Sequence, residues 1–188
     1  GFYSTTRLEL RQQYVEALCR EMEMRSILDD FITEPISTIY LGGGTPSQLT
    51  IPQLEQLFIY INKVYSLPSI QGGAGGGSEV TIEANPDDVT AEFAASLSQL
   101  GINRVSMGAQ TFNNERLQFL RRRHTATQVP QAIRLLRNAG IRNISVDLMY
   151  GFPDETLDDW RRDIDAALSL NVEHLSAYWL MIEGGTPL

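Results

Sequence analysis

Short apolar runs and longer segments of helical period alternate along the chain, and that alternation predicts its elements. From about residue 7 to residue 28, Leu10, Tyr14, Leu18 and Met22 recur at helical spacing among Glu and Arg, which predicts an amphipathic first helix. Thr38 to Leu41 reads as a buried strand. Thr50-Ile-Pro-Gln53 matches a capping box with Pro in the first turn, so a helix carrying Leu54, Leu57, Phe58 and Ile61 is predicted to run to about Tyr65, ahead of Pro68. Val80 to Asn85 alternates as a strand ended by Pro86, and Ala91 to Leu100 is helical with a stop at Gly101. A strand over Asn103 to Gln110 follows. Thr125-Ala-Thr-Gln128 caps a helix with Ile133, Leu135 and Leu136, which stops at Gly140. Ile144 to Gly151 is a fourth strand, Thr156 caps a helix with Trp160, Ile164 and Leu168 on its inner side, and His174 to Ile182 is a last strand. No sequence repeat of solenoid length is evident.

Strand followed by helix throughout implies an α/β fold with a parallel sheet, either open and doubly wound or closed toward a barrel. The candidate chemistry sits at the strand ends: Gly42-Gly43-Gly44-Thr45 after the first strand, Glu83 in the second, Gln110 ending the third and Asp147 in the fourth. An open sheet would spread these along a row, whereas a barrel makes them converge, so a barrel is expected. Asp147 is the sharpest single signal, because an unpartnered carboxylate in an apolar strand is costly to bury. Gly42 to Gly44 let the backbone turn sharply and admit a ligand closely. They do not form a Walker A loop, having no Lys-Ser/Thr after them, nor Gly-x-Gly-x-x-Gly, since Ser47 takes the third glycine's place.

Composition narrows the class. With 43% hydrophobic residues, 188 residues suffice for one sizeable core, so one domain is the default. A net charge of -8 argues against nucleic acid, for which a basic face would be needed. No apolar run approaches the ~20 residues of a membrane span and no leader pattern opens the chain, so a cytoplasmic location is expected. The single Cys19 excludes an internal disulfide and reads as a helix residue. His124 and His174 lack metal-ligand spacing and read as structural or exposed, Arg121 and Arg123 as solvated charges, and Tyr178 and Trp179 as packing. Ser69 to Ser78, with Gly72-Gly-Ala-Gly-Gly-Gly77, reads as a mobile surface loop.

Taken together, Tyr40-Leu-Gly-Gly-Gly-Thr-Pro-Ser47, Ile82-Glu-Ala-Asn-Pro86, Arg104-Val-Ser-Met-Gly-Ala-Gln-Thr-Phe112, Arg122-Arg-His124 and Val146-Asp-Leu-Met-Tyr-Gly-Phe-Pro153 resemble the radical S-adenosylmethionine (SAM) family of oxygen-independent coproporphyrinogen III oxidase-like proteins. Ser176-Ala-Tyr178 and Ile182-Glu-Gly-Gly-Thr-Pro187 look most like its haem chaperone branch. The resemblance covers nearly the whole chain and implies an incomplete six-stranded (β/α) barrel of the TIM type. It also implies a first strand and a Cys-x3-Cys-x2-Cys loop upstream of Gly1, the loop ligating a 4Fe–4S cluster, and a further domain downstream. On this resemblance residues 1–188 are part of a radical SAM barrel.

The resemblance further implies that Gly43, Gly44 and Thr45 offer backbone groups to the methionyl portion of SAM. Glu83 would accept from its ammonium or ribose hydroxyls, and Arg122 would pair a carboxylate. Gln110 and Asp147 would bind ribose or polar edges of SAM, and Met181 would lie on the adenine side. No catalytic residue and no metal ligand is assigned within the chain. Two functions follow as expectations: a chaperone that binds haem and delivers it to acceptor proteins, and, as the alternative, oxidative decarboxylation of coproporphyrinogen III through a 5'-deoxyadenosyl radical.

Overall fold

The computed structural model describes residues 9–28, 36–65 and 77–181. Its elements are α1 (Leu10–Leu28), β1 (Thr38–Leu41), α2 (Ile51–Val64), β2 (Glu79–Ala84), α3 (Ala91–Gln99), β3 (Arg104–Gln110), α4 (Asn114–Phe119), α5 (Gln128–Asn138), β4 (Asn143–Tyr150), α6 (Leu157–Ser169) and β5 (His174–Trp179), with 3-10 turns at Pro46–Gln48 and Pro86–Asp88. The strands form one parallel sheet in the order β1-β2-β3-β4-β5. A doubly wound sheet reverses its strand order at a switch point. Here each strand pairs with the next in sequence, and right-handed crossovers then stack the helices on one face and curl the sheet as in a barrel.

The core lies between that face and the helices. Val80, Ile82, Val105, Met107, Ile144 and Val146 are fully buried against Leu54, Phe58, Leu97, Ile133 and Leu136. Removing each such side chain from water is worth about 1.5–3 kcal/mol. Thr50 N donates to Gln53 Oε1 at 3.0 Å, and Thr156 N donates to Asp159 Oδ2 at 2.9 Å while Asp159 N donates back to Thr156 Oγ1 at 3.2 Å, so these two helix starts are capped as the sequence predicts. Among the described residues no helix is long and apolar enough to cross a membrane.

Several expectations are corrected. In α1 the inward residues are Val15 and Cys19, packed with Leu57 of α2, while Tyr14 is 61% exposed. Leu18 and Met22 of the expected stripe are partly buried against this cluster, so the buried face is centred on Val15 and Cys19, with Tyr14 turned outward. β1 is an edge strand of the described sheet, so it is half exposed rather than buried. In α6 it is Asp163 and Ala167 that are buried, and Leu168 points outward. α4 was not anticipated; Asn113 Oδ1 caps it by accepting from the backbone N–H of Glu115 and Arg116. β5 ends at Trp179, and Ile182 and most of the glycine-rich Ser69 to Ser78 stretch lie outside the described residues. Tyr178 and Trp179 are more than half exposed instead of packed, since no described strand lies beyond β5.

Candidate functional site

The two faces of the sheet differ in chemistry. Parallel partners point to the same side, so the registers Tyr40↔Thr81↔Arg104↔Asn143, Glu83↔Ser106↔Ser145↔His174 and Gly108↔Asp147↔Ser176 assemble one face. Parallel sheets covered by helices on both sides read as continuous apolar runs, and the inside of an ordinary barrel is filled by branched apolar side chains. This inner face is instead hydroxyls, carboxylates and a guanidinium, the composition of a surface that receives a polar ligand.

Asp147 occupies the middle of that face. Ser106 Oγ donates to its Oδ2 at 3.2 Å, and Ser176 is its register neighbour on β5. Burial pushes the Asp147 carboxyl above the usual carboxylate range, outweighing the neighbouring serine hydroxyls that pull it down. Across the face Glu83 is held from two sides: Tyr40 Oη donates to its Oε1 at 2.8 Å, and the Gly43 N–H to its Oε2 at 2.9 Å. The Tyr40 phenol is pushed up to about 12 by burial first and by the Glu83 carboxylate second. Read from the sequence as a buried strand residue, Tyr40 is in fact 55% exposed on the inner face.

The loops at the carboxyl ends of the strands are tied to one another. Gly43 has φ 99° and Thr45 φ 71°, so the turn after β1 runs through the left-handed region at both positions, strained at Thr45. Cβ atoms added at Gly43 or Gly44 would meet nothing within 4 Å, so the backbone there is open to approach. Beyond the turn, Ser47 Oγ donates to Asp88 Oδ2 at 2.6 Å and accepts from the Asn85 N–H at 3.2 Å. The half-buried Arg122 guanidinium donates to Asn85 Oδ1 at 2.6 Å and to the Gly108 carbonyl at 2.8 Å. Burial lowers its pKa, and among the described residues no carboxylate lies within ion-pairing distance of it. A desolvated guanidinium with only neutral partners has the chemistry to pair a carboxylate.

The end of β3 is shaped around this arginine. A Cβ on Gly108 would come within 2.8 Å of Gln110 Nε2 and 3.1 Å of Arg122 Nη2, so both side chains cross the space a larger residue would fill. The register slips between Gly108 and Gln110, and Gln110 sits at φ 68°. Buried His124 holds the neighbouring Ala109 carbonyl through Nε2 at 3.1 Å, and burial lowers its pKa. Buried Asp163 on α6 accepts from Thr111 Oγ1 at 2.6 Å and from the Phe112 N–H at 2.8 Å, anchoring the chain just past Gln110.

The structure thus places Gly43, Glu83 and Gln110 at or beside the carboxyl ends of β1, β2 and β3, Asp147 three residues before the end of β4, and Arg122 after α4 against the Gly108 carbonyl, with Gly44 and Thr45 in the first turn. Met181 lies two residues past β5 and is 71% exposed. Arg123, read as a solvated charge, pairs with Asp87 at 2.9 Å and Asp88 at 2.8 Å. His174 Nδ1 lies 2.8 Å from Ser145 Oγ on the inner face. The sequence reading passed over Ser106, Asn85, Asp88 and Asp163. Hydroxyls alternating with apolar residues in a parallel strand were the signal for Ser106; nothing local distinguished the others.

The donor set fits SAM in kind: an open glycine backbone, an arginine without a carboxylate partner, and carboxylates able to accept from an ammonium or from ribose hydroxyls. It does not supply a cluster. The sequence has one cysteine, Cys19, buried between α1 and α2, and the described residues include no group of side chains able to hold a metal ion.

Comparison with known proteins places this geometry in context. Residues 14–167 match the radical SAM superfamily. The heme chaperone HemW of Lactococcus lactis is 37% identical over 173 residues, 92% of this chain and 42% of that protein. HemW of Bacillus subtilis is 39% identical over 174 residues, 93% and 44% respectively. Among solved structures, coproporphyrinogen III oxidase (HemN) from Escherichia coli, described as a radical SAM enzyme, superposes with a TM-score of 0.83 at 26% identity over 94% of this chain and 39% of the other. The chain spans less than half the length of the curated relatives it matches.

Proposed function

This chain belongs to the radical SAM superfamily, and on that premise we propose that it forms the SAM-binding barrel of a cytoplasmic chaperone that binds haem and delivers it to acceptor proteins. The observation that carries the SAM reading is the juxtaposition of an open glycine turn with a desolvated, carboxylate-free arginine across the ends of β1 to β3. The chaperone reading draws its support from identities of 37% and 39% with HemW proteins, against 26% with the oxidase.

In this reading Arg122 pairs the ligand's carboxylate, and the Gly43 to Thr45 backbone meets the rest of its amino-acid portion. Glu83 accepts from the ammonium, already aimed by Tyr40 and the Gly43 N–H. Gln110 and Asp147 take ribose hydroxyls, and the Met181 backbone borders the adenine. The cluster, when bound, supplies one-electron chemistry to SAM. Cys19, the one cysteine of this sequence, is buried in a helix interface and is not placed to supply the cluster's thiolates.

Decarboxylation of coproporphyrinogen III is the second reading, favoured by the HemN superposition. Anaerobic reconstitution of the intact protein with iron and sulfide, followed by separate assays of haem retention and coproporphyrinogen decarboxylation, tests the choice. Stable haem retention without decarboxylation is expected; ready decarboxylation with no haem retained would overturn the chaperone reading.

A further inference from the structure

Asp88 is where three loops at the carboxyl end of the sheet meet. It ends the 3-10 turn after β2, and its carboxylate accepts from Ser47 Oγ at 2.6 Å, Gln48 Nε2 at 2.5 Å and Arg123 Nη2 at 2.8 Å. Asn85 Nδ2 approaches it at 3.5 Å. Ser47 and Gln48 directly follow the glycine turn, and Gln48 is in turn held by Arg11 of α1 at 3.1 Å. Arg123 adjoins Arg122, whose own guanidinium reaches Asn85 at 2.6 Å. The distance between the glycine turn and the Arg122 guanidinium is therefore set by one short turn, with Asp88 gripping the first loop and Asn85 the arginine.

Charge sorts the two arginines. Both lie beside an acidic turn, yet Arg123 takes Asp87 and Asp88 together, while Arg122 keeps only an amide oxygen and a backbone carbonyl. A guanidinium left to itself near two carboxylates would pair with one of them. By occupying both, Arg123 leaves Arg122 available to an incoming anion.

We propose that Asp88, held by Arg123, is a positioning and specificity-determining residue: it fixes the glycine turn relative to Arg122, while its pairing with Arg123 leaves Arg122 free for the carboxylate of a ligand's amino-acid moiety. The proposal rests on the SAM reading above and extends it to residues that touch no ligand. A purely structural tie would weaken all ligands alike. A positioning role weakens those with a carboxylate selectively.

The test measures dissociation constants of the intact, anaerobically reconstituted protein for SAM and for 5'-methylthioadenosine, which shares the nucleoside but lacks the amino-acid group. Asp88→Ala is expected to weaken SAM binding about tenfold and 5'-methylthioadenosine binding less than about twofold. Asp88→Asn keeps an oxygen for Ser47 but turns its amide NH2 toward the donors Gln48 Nε2 and Arg123 Nη2, so it should recover only part of the loss. Arg123→Gln, a change at a 57% exposed side chain, should lower the SAM preference in the same direction and stands in if Asp88→Ala does not fold. An unchanged ratio of the two affinities in Asp88→Ala or Arg123→Gln overturns the proposal, even if both affinities fall. Wild-type protein that binds the two nucleosides equally would instead overturn the role of Arg122, and binding of neither would overturn the SAM reading and this proposal with it.

Discussion

Asp163→Ala is predicted to loosen the site from behind. The Asp163 carboxylate is 3% exposed and accepts from Thr111 Oγ1 and the Phe112 N–H, so it pins to α6 the two residues that follow Gln110. Its removal leaves the Phe112 N–H without an acceptor, a cost of about 1–3 kcal/mol, and opens a small void worth about 1 kcal/mol more. The Thr111 hydroxyl already accepts from the Asn113 N–H at 3.1 Å and can turn elsewhere, and the desolvation of the carboxylate itself is recovered. The two losses together are about 2–4 kcal/mol before that recovery is counted, a large share of the ~5–15 kcal/mol of a typical domain. Asp163→Asn keeps an oxygen for Phe112 and an amide that can donate to Thr111, so about 1 kcal/mol is expected. Thermal unfolding gives the global effect, and native-state hydrogen exchange of the Phe112 amide reads the same contact locally. The reasoning fails if Asp163→Ala stays within ~0.5 kcal/mol of wild type, or if Asn proves as damaging as Ala.

Other consequences follow from the same geometry. Arg122→Ala should weaken SAM binding by about 2 kcal/mol or more and Arg121→Ala by less than ~1 kcal/mol, since Arg121 is exposed; equal losses by calorimetry would remove Arg122 from the site. Gly108→Ala should weaken SAM binding more than it lowers the melting temperature, because the new methyl displaces Gln110 and Arg122 rather than core; an unaltered affinity would show that neither side chain needs its present place. Asp147→Asn should stabilise the protein at neutral pH while weakening SAM binding. The folded state raises the Asp147 pKa, so it binds the extra proton and loses stability as pH climbs from the unfolded value near ~3.9 through the raised folded one. The gain from Asn should therefore grow across that interval and vanish below it, and a gain independent of pH in melting experiments would contradict the assignment.

How far the sequence alone carried depended on how local each cause was. Strand and helix positions were legible because period and capping act within a few residues: Thr50 with Gln53 and Thr156 with Asp159 cap as written, and the βα alternation already implied a parallel sheet. The Gly43 turn, Glu83, Gln110, Arg122 and Asp147 could be named because each departs from the pattern of its own segment or belongs to a recognisable run. The strand order could not be read locally, yet it turns an alternating pattern into one polar inner face. Nor could the sequence show that Tyr40 serves Glu83 across 43 positions, or that Asp163 reaches Phe112 across 51. Leu168 read as part of the inner stripe of α6, where Asp163 and Ala167 are buried instead, because helical periodicity locates a stripe but not the neighbour that selects its inward side. The division of labour between Arg122 and Arg123 is the plainest case. Adjacent and chemically identical, they are separated only by which loops the tertiary fold brings to each, and electrostatics then assigns one to the acidic turn and leaves the other free.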